Sequence, residues 1–296
     1  MLWAIFTIIA AAAQTARNAM QRHLTARLGT VGATHVRFLY GFPFALVFLI
    51  GVLAVTGASL PRPPLAFWPW IFLGLLTQIG ATAAMLAAMN GRSFVVTIAY
   101  TKTEPVQVAL FGFLLLGDKI TPLLALAIVV ATAGVIVMSL KPGVKQAGGV
   151  GPTVLGLLSA TLLGLSVVGF RGAILQIEHT HPFVIAATFT LVVGLALQSA
   201  LLSAYLALRE PGALTAIVRA YKPASFAGFM GALASQFWFL GFAIATAASV
   251  RTLGLVEVLF AQAVSHYLFK QKTTPREVAG MVLLVLGVGL LLWAYE

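Results

Sequence analysis

The sequence predicts an all-α integral membrane protein, with ten transmembrane helices arranged as two inverted five-helix repeats. Three observations carry that prediction. Of 296 residues, 60% are hydrophobic and only 8% charged, at a mean hydropathy of +1.02. A water-soluble domain carries about 25% charge, because its surface has to meet water. The apolar residues also fall into stretches of the length that crosses hydrocarbon, about 20 residues, and landmarks of the first half recur in the second at constant spacing. The composition excludes a soluble enzyme, a disordered chain and a disulfide scaffold. Cysteine is absent, so thiolate chemistry and zinc–cysteine clusters are excluded as well.

The predicted spans are approximately 3–23, 34–57, 67–89, 94–116, 121–140, 150–175, 182–207, 223–245, 249–269 and 276–294. The first begins at Leu2 with no basic segment before it, which suits a span better than a signal peptide. Turn-forming runs punctuate the series: Gly57 to Pro64, Lys141-Pro142-Gly143 and Arg209-Glu210-Pro211-Gly212. No gap between spans is long enough for a soluble domain. The excess of 18 Lys+Arg over 7 Asp+Glu sits at the ends of apolar runs, which reads as topology signals at lipid headgroups and not as nucleic-acid binding.

The repeat is legible residue by residue. At an offset of 153, Glu104, Leu115, Lys119, Thr121, Pro122, Val129, Gly134 and Val135 match Glu257, Leu268, Lys272, Thr274, Pro275, Val282, Gly287 and Val288. At an offset of 154, Arg17, Pro69 and Gly74 match Arg171, Pro223 and Gly228. These matches divide the chain into repeats 1–145 and 146–296, each of five spans. An odd number of spans returns the chain on the opposite side, so the second repeat is inserted upside down. Inverted repeats are the architecture of alternating-access transporters, with a substrate site near midplane where the halves meet.

Each repeat closes in a span, a tight turn and a last span. These are Phe111-Gly-Phe-Leu-Leu-Leu-Gly-Asp-Lys-Ile-Thr-Pro122 before Ala133-Gly134-Val135, and Tyr267-Leu-Phe-Lys-Gln-Lys-Thr-Thr-Pro275 before Leu286-Gly287-Val288. This pattern resembles the EamA family of the drug/metabolite transporter superfamily, whose repeats close with Gly-Glu-x-(Leu/Ile)-(Ser/Thr)-Pro and a later glycine. Asp118 stands where the family usually has glutamate, and the second copy departs further with Gln271. The motifs are specific for the superfamily and do not resolve a similarity to YddG-type exporters of aromatic amino acids. The resemblance implies export of small amphipathic metabolites, often amino acids, across the bacterial inner membrane.

Candidate functional residues are those that cost most to place in lipid. An ionisable side chain at mid-span costs about 2.5–3.5 kcal/mol on insertion scales and is by default a functional hypothesis. Glu104 and Glu257 lie near the centres of spans four and nine. Two readings are open: proton coupling or recognition of a substrate ammonium, and a buried pair with Arg17, Arg37, Arg171 or Arg251 that holds helices in register. Tyr100, Glu104, Gln107 and Phe111 share one face of span four, with Lys102 opposite. On span nine, Gln262 and His266 share a face with Arg251, about 140° from Glu257 on a continuous helix. Gln78, Thr82, Met85 and Met89 form a stripe on span three, and Gln236 and Trp238 lie close together on span eight, near Phe239. Amides and hydroxyls suit an amino-acid backbone, and methionine and aromatic surfaces suit varied side chains. Interhelical hydrogen bonds account equally for any one of them. Arg17, with Gln14, Asn18 and Gln21, forms a polar stripe on span one that fits either a substrate carboxylate or the headgroup boundary.

Other chemistry finds no support. Gly112 to Lys119 has the glycine spacing of a phosphate loop, but Asp118 stands at the lysine position. The histidines lack metal-ligand spacing. The expectation is therefore a non-enzymatic transporter without cofactor, metal or nucleotide. Its partners are a small-molecule substrate and the bilayer, with protons as candidate coupling ion, no nucleic acid, and a monomer sufficient. Two rivals stand: an exchanger of anionic or phosphorylated metabolites, in which the four arginines converge, and an intramembrane enzyme on lipid-linked substrates, disfavoured because no acidic or histidine cluster marks a membrane face. For orientation, Arg22, Arg27, Arg92, Lys141, Lys145, Arg209, Arg219, Lys222, Lys270, Lys272 and Arg276 share the side opposite the termini, against Arg62, Lys119 and Arg171. The positive-inside rule then puts the termini in the periplasm, although members of the resembled family usually keep them in the cytoplasm.

Overall fold

The computed structural model of the chain describes residues 1–91, 101–139, 150–269 and 274–295; side chains at 19, 21–27, 30, 86, 89–91, 150–153 and 264–269 lie outside that description. Helices make up 88% of the structure, with no strand among the described residues. In chain order they are α1 (Leu2–Leu39), α2 (Gly41–Thr56), α3 (Phe67–Gly91), α4 (Glu104–Phe111), α5 (Pro122–Ser139), α6 (Val150–Glu178), α7 (Phe183–Arg209), α8 (Pro211–Arg219), α9 (Tyr221–Ile244), α10 (Ala247–Leu253), α11 (Glu257–Phe269) and α12 (Pro275–Trp293).

Among the described residues, seven segments are long and apolar enough to cross a membrane: Val31–Thr56, Phe67–Met85, Pro122–Ser139, Val154–Glu178, Phe183–Arg209, Tyr221–Ile244 and Pro275–Trp293. Val55, Leu65 and Leu208 are among the most exposed apolar side chains. Three predicted spans take a different form. The segment expected to link spans one and two is helical, and α1 kinks at Gly29, at φ 65° and ψ −179°, a backbone region essentially confined to glycine. Of span four, residues 94–100 lie outside the described set; the remainder turns at Lys102-Thr103, runs through α4 and ends in a π-helical turn, Gly112–Leu116. Span nine is broken in two by a 3-10 turn at Gly254–Val256.

The threonine–proline corners that recur at an offset of 153 are helix starts. Thr121 Oγ1 accepts a hydrogen bond from the Leu124 amide at 3.2 Å. Thr274 accepts from the Glu277 amide, and the Glu277 carboxylate accepts from the Thr274 amide at 2.7 Å, completing a capping box. Proline follows at N1, where its missing N–H is no loss.

The chain forms two compact units, each drawing on both halves of the sequence: Met1–Leu75 with Phe170–Ile244, and Leu76–Gly169 with Ala245–Glu296. In the first unit, α1 packs along α9, and α2 packs on α7 and α9. Gly228 of α9 admits the backbone of Tyr40 at the α1–α2 corner, since a Cβ there would lie 2.6 Å from the Tyr40 carbonyl carbon. The short helix α8 tucks Ile217 into a cluster with Ala33, Val36, Leu206, Ala224 and Ala227, and the Tyr40 hydroxyl donates to the Ile217 carbonyl at 3.3 Å.

In the second unit, α5 packs along α12. Gly134 meets the backbone of Leu284, Gly280 meets Met138, and Gly287 meets the backbone of Ala131. As one number rises the other falls, so the two helices run antiparallel. The contacts also exchange repeat-equivalent positions. Gly134 faces Leu284, while Gly287, the equivalent of Gly134, faces Ala131, the equivalent of Leu284. Small residues allow this approach, which in lipid replaces hydrophobic burial as the source of association. Ala131, Val135 and Leu284 bury Leu255, the middle residue of the 3-10 turn. A Cβ at Gly134 would lie 2.6 Å from the Leu284 nitrogen, so Gly134→Ala should cost about 1–3 kcal/mol by overpacking. Thermal unfolding in detergent measures it, and an unchanged midpoint would show that α5 and α12 stand further apart.

Candidate functional site

The charged residues predicted within spans four and nine meet in the second unit. Arg251, on α10, donates from Nε to Oε1 of Glu104 at 2.8 Å and from Nη2 to Oε2 at 2.6 Å. Both carboxylate oxygens are thus held by one planar fork, the strongest geometry for such a pair. Lys102 pairs with Glu257 in turn. Lys102 also lies within electrostatic reach of Arg251 and Glu104, so two acids and two bases form one neutral group.

The breaks in the two spans create this group. Pro105 lacks an N–H and cannot donate to the Thr101 carbonyl; it sits instead in the first turn of α4, which starts at Glu104. After the 3-10 turn, α11 starts anew at Glu257. Each glutamate therefore lies in a first turn, where the positive end of the helix dipole favours its charge. The breaks also correct the continuous-helix reading of span nine. Arg251 and Glu257, about 120° apart on an unbroken helix, both engage span four, because the intervening 3-10 turn does not keep α-helical phase. Lys102, on the face opposite Glu104, reaches Glu257. Of the two readings left open for the acids, the structure contains the ion pairs, with Arg251 as one base and Lys102 as the other.

The other candidates of this unit surround the group less directly. Gln107 lies one turn beyond Glu104, and its Oε1 is buried with no hydrogen-bond partner among the described residues. Thr82 spends its hydroxyl on the carbonyl of Gln78 at 3.0 Å, a local back-bond that leaves it a weaker candidate for a ligand. Gln78 and Met85 on α3 and Gln262 on α11 are half-buried. Tyr100 lies outside the described residues. Met89 and His266 belong to α3 and α11, but their side chains are outside the description.

The remaining candidates belong to the first unit. Gln236 is buried and donates from Nε2 to Thr188 Oγ1 at 2.7 Å; its Oε1 is buried with no partner among the described residues. Trp238 donates from Nε1 to Gln14 Oε1 at 3.1 Å and stacks on Phe242 with ring centroids 6.2 Å apart. Arg17 is buried and donates to its neighbour Asn18 at 2.7 Å. Its stem lies beside that of Arg37 against Gly231 of α9. Arg171 is buried, and its Nε donates to the Phe242 carbonyl at 3.1 Å. That carbonyl is in the last turn of α9, where helical donors run out, so Arg171 acts as a cap and complements the dipole. Sequence reasoning gave this role no signal, because the cap bridges residues 71 apart.

A multi-pass, all-helical membrane protein with neutralised charges in broken spans is the class that this fold defines. Residues 1–140 match the model of the EamA-like transporter family. No curated protein sequence is significantly similar. Among solved structures, one crystal structure aligns over 98% of this chain and 94% of its own at a TM-score of 0.69 and 16% identity, a likeness of fold alone.

The ion pair gives a direct stability test. Glu104→Met or Arg251→Met alone leaves a buried charge uncompensated and should cost about 3–5 kcal/mol, whereas E104M/R251M removes both and should recover most of that loss. Thermal unfolding of the three variants measures the coupling; additive losses in the double variant would show that the two residues do not interact.

Proposed function

We propose that the chain is a secondary transporter of the bacterial inner membrane that moves small amphipathic metabolites, amino acids foremost, outward by alternating access. Its two inverted five-helix repeats are 1–145 and 146–296. The observation that carries the reading is the pairing of repeat-equivalent acids. Glu104 and Glu257 each begin a helix after a break in their span, and each is met by a base from the other repeat. Discontinuous helices that bring charge to the interior are how transporters of inverted architecture build a site without leaving it unsatisfied in lipid. The antiparallel crossing of α5 and α12 through equivalent residues supports the inversion, since helices at matching places in the two repeats then run in opposite directions.

No nucleotide is required in this mechanism, and gradients of substrate or protons set the direction. The glutamates respond to a substrate ammonium or a proton because either competes with their paired bases. The half-buried amides Gln78, Gln107 and Gln262, with Met85, supply hydrogen bonds and adaptable apolar surface. Uptake of labelled amino acids into proteoliposomes tests the proposal. Saturable flux that falls at least tenfold in Glu104→Met is expected. Absence of amino-acid flux, with exchange of a phosphate ester in its place, would transfer the assignment to an exchanger of anionic metabolites.

The termini face the periplasm in this reading, from the eleven basic residues on the opposite side against three. A C-terminal GFP fusion should accordingly stay dark in intact cells, and bright fluorescence would reverse the orientation.

A further inference from the structure

The bidentate pair has a geometry that one kind of ligand can copy. An α-amino acid carries a carboxylate with the shape and charge of the Glu104 side-chain terminus, and an ammonium able to replace Arg251 as a partner for Glu104. We propose that the Glu104–Arg251 pair is itself the docking site for an amino-acid zwitterion, which enters by exchanging partners: its carboxylate takes the fork of Arg251 and its ammonium takes the freed carboxylate of Glu104. This rests on the transport reading above and names the residues and ligand chemistry of that site.

The exchange turns one ion pair into two and leaves no charge alone. That balance decides specificity. An amine without a carboxylate would strand Arg251, and an N-acylated acid would strand Glu104, each at the cost of an uncompensated charge in a low-dielectric site. A zwitterion avoids both penalties. The direction of approach follows from exposure: the Arg251 side chain is 15% exposed and that of Glu104 4%, so the ligand carboxylate reaches its partner first. The neighbouring Lys102–Glu257 pair stays closed in this scheme, because a lysine ammonium offers no planar fork to an incoming carboxylate. It keeps the surroundings neutral during the exchange.

The exchange also has a mechanical consequence within the unit. The pair ties α4 to α10, the two short segments on either side of the span breaks. A zwitterion lodged between the two side chains lengthens the tie by the width of an amino-acid backbone, and the turns at Lys102-Thr103 and Gly254–Val256 are where the backbone can yield.

The test uses the purified full chain in proteoliposomes, with labelled alanine, leucine and phenylalanine as probes, each competed by its unlabelled form, its decarboxylated amine and its N-acetyl derivative. The free amino acid should compete, and the amine and N-acetyl forms should be at least about a hundredfold weaker. In E104M/R251M, shown to be folded by its thermal midpoint, flux should be lost. In Arg251→Lys, which keeps the charge but not the fork, the KM should rise about tenfold with little change in saturating flux. Wild-type flux of amino acids in E104M/R251M, or equal competition by the amines, would make the pair a structural brace and overturn the site while leaving amino-acid transport intact. No amino-acid flux in the wild-type chain would overturn the transport reading and the site together.

Discussion

Hydrocarbon offers a buried charge nothing to bind, and the structure of this protein is arranged around that constraint. In water, an isolated glutamate at mid-chain would be solvated; here each must be neutralised by a side chain positioned in advance. The second unit meets the requirement with two acids and two bases, and the geometry of the fold follows from the need to bring them together. A continuous helix could not present Arg251 and Glu257 to the same neighbour. The span is therefore broken between them, and the 3-10 turn that breaks it is buried against α5 and α12. The antiparallel glycine crossing of those two helices supplies the wall on which the turn rests.

The same constraint explains the first unit, with a different solution. Two of its arginines donate to amide and carbonyl oxygens, Arg17 to Asn18 and Arg171 to the end of α9. Capping a helix with a guanidinium meets two demands in one contact, an unsatisfied carbonyl and an unsolvated cation. This separates the arginines that looked equivalent in the sequence. Arg251 engages a carboxylate that a ligand could replace, whereas Arg171 holds backbone.

Much of the fold was legible in the chain. Span length and composition located the helices, and the Thr-Pro corners marked where α5 and α12 begin, because N-capping is a local interaction between residues three apart. Glu104 and Glu257 stood out because intramembrane acids are rare. The kink at Gly29 escaped notice because the stretch around it carries enough polar residues to resemble a loop. The breaks at Lys102-Thr103 and Gly254–Val256 were missed although Pro105 was visible; assuming one helix per apolar stretch gave the wrong phase for span nine. Arg251 stood among four candidate bases and Lys102 did not, and which base serves which acid could not be read, since each pair joins residues about 150 apart.

The sequence by itself therefore determined the solvent, the helical class, the corners and the two acids that need neutralising. All of these follow from local composition or from short-range hydrogen bonds. Tertiary structure decided which base serves which acid, which arginine caps a helix and which glycines let helices touch. Those outcomes depend on side chains from distant segments meeting within 3 Å, and neither spacing nor hydropathy encodes such a distance. The low charge of the chain narrows the candidates to a few residues, and only folding distributes them into pairs.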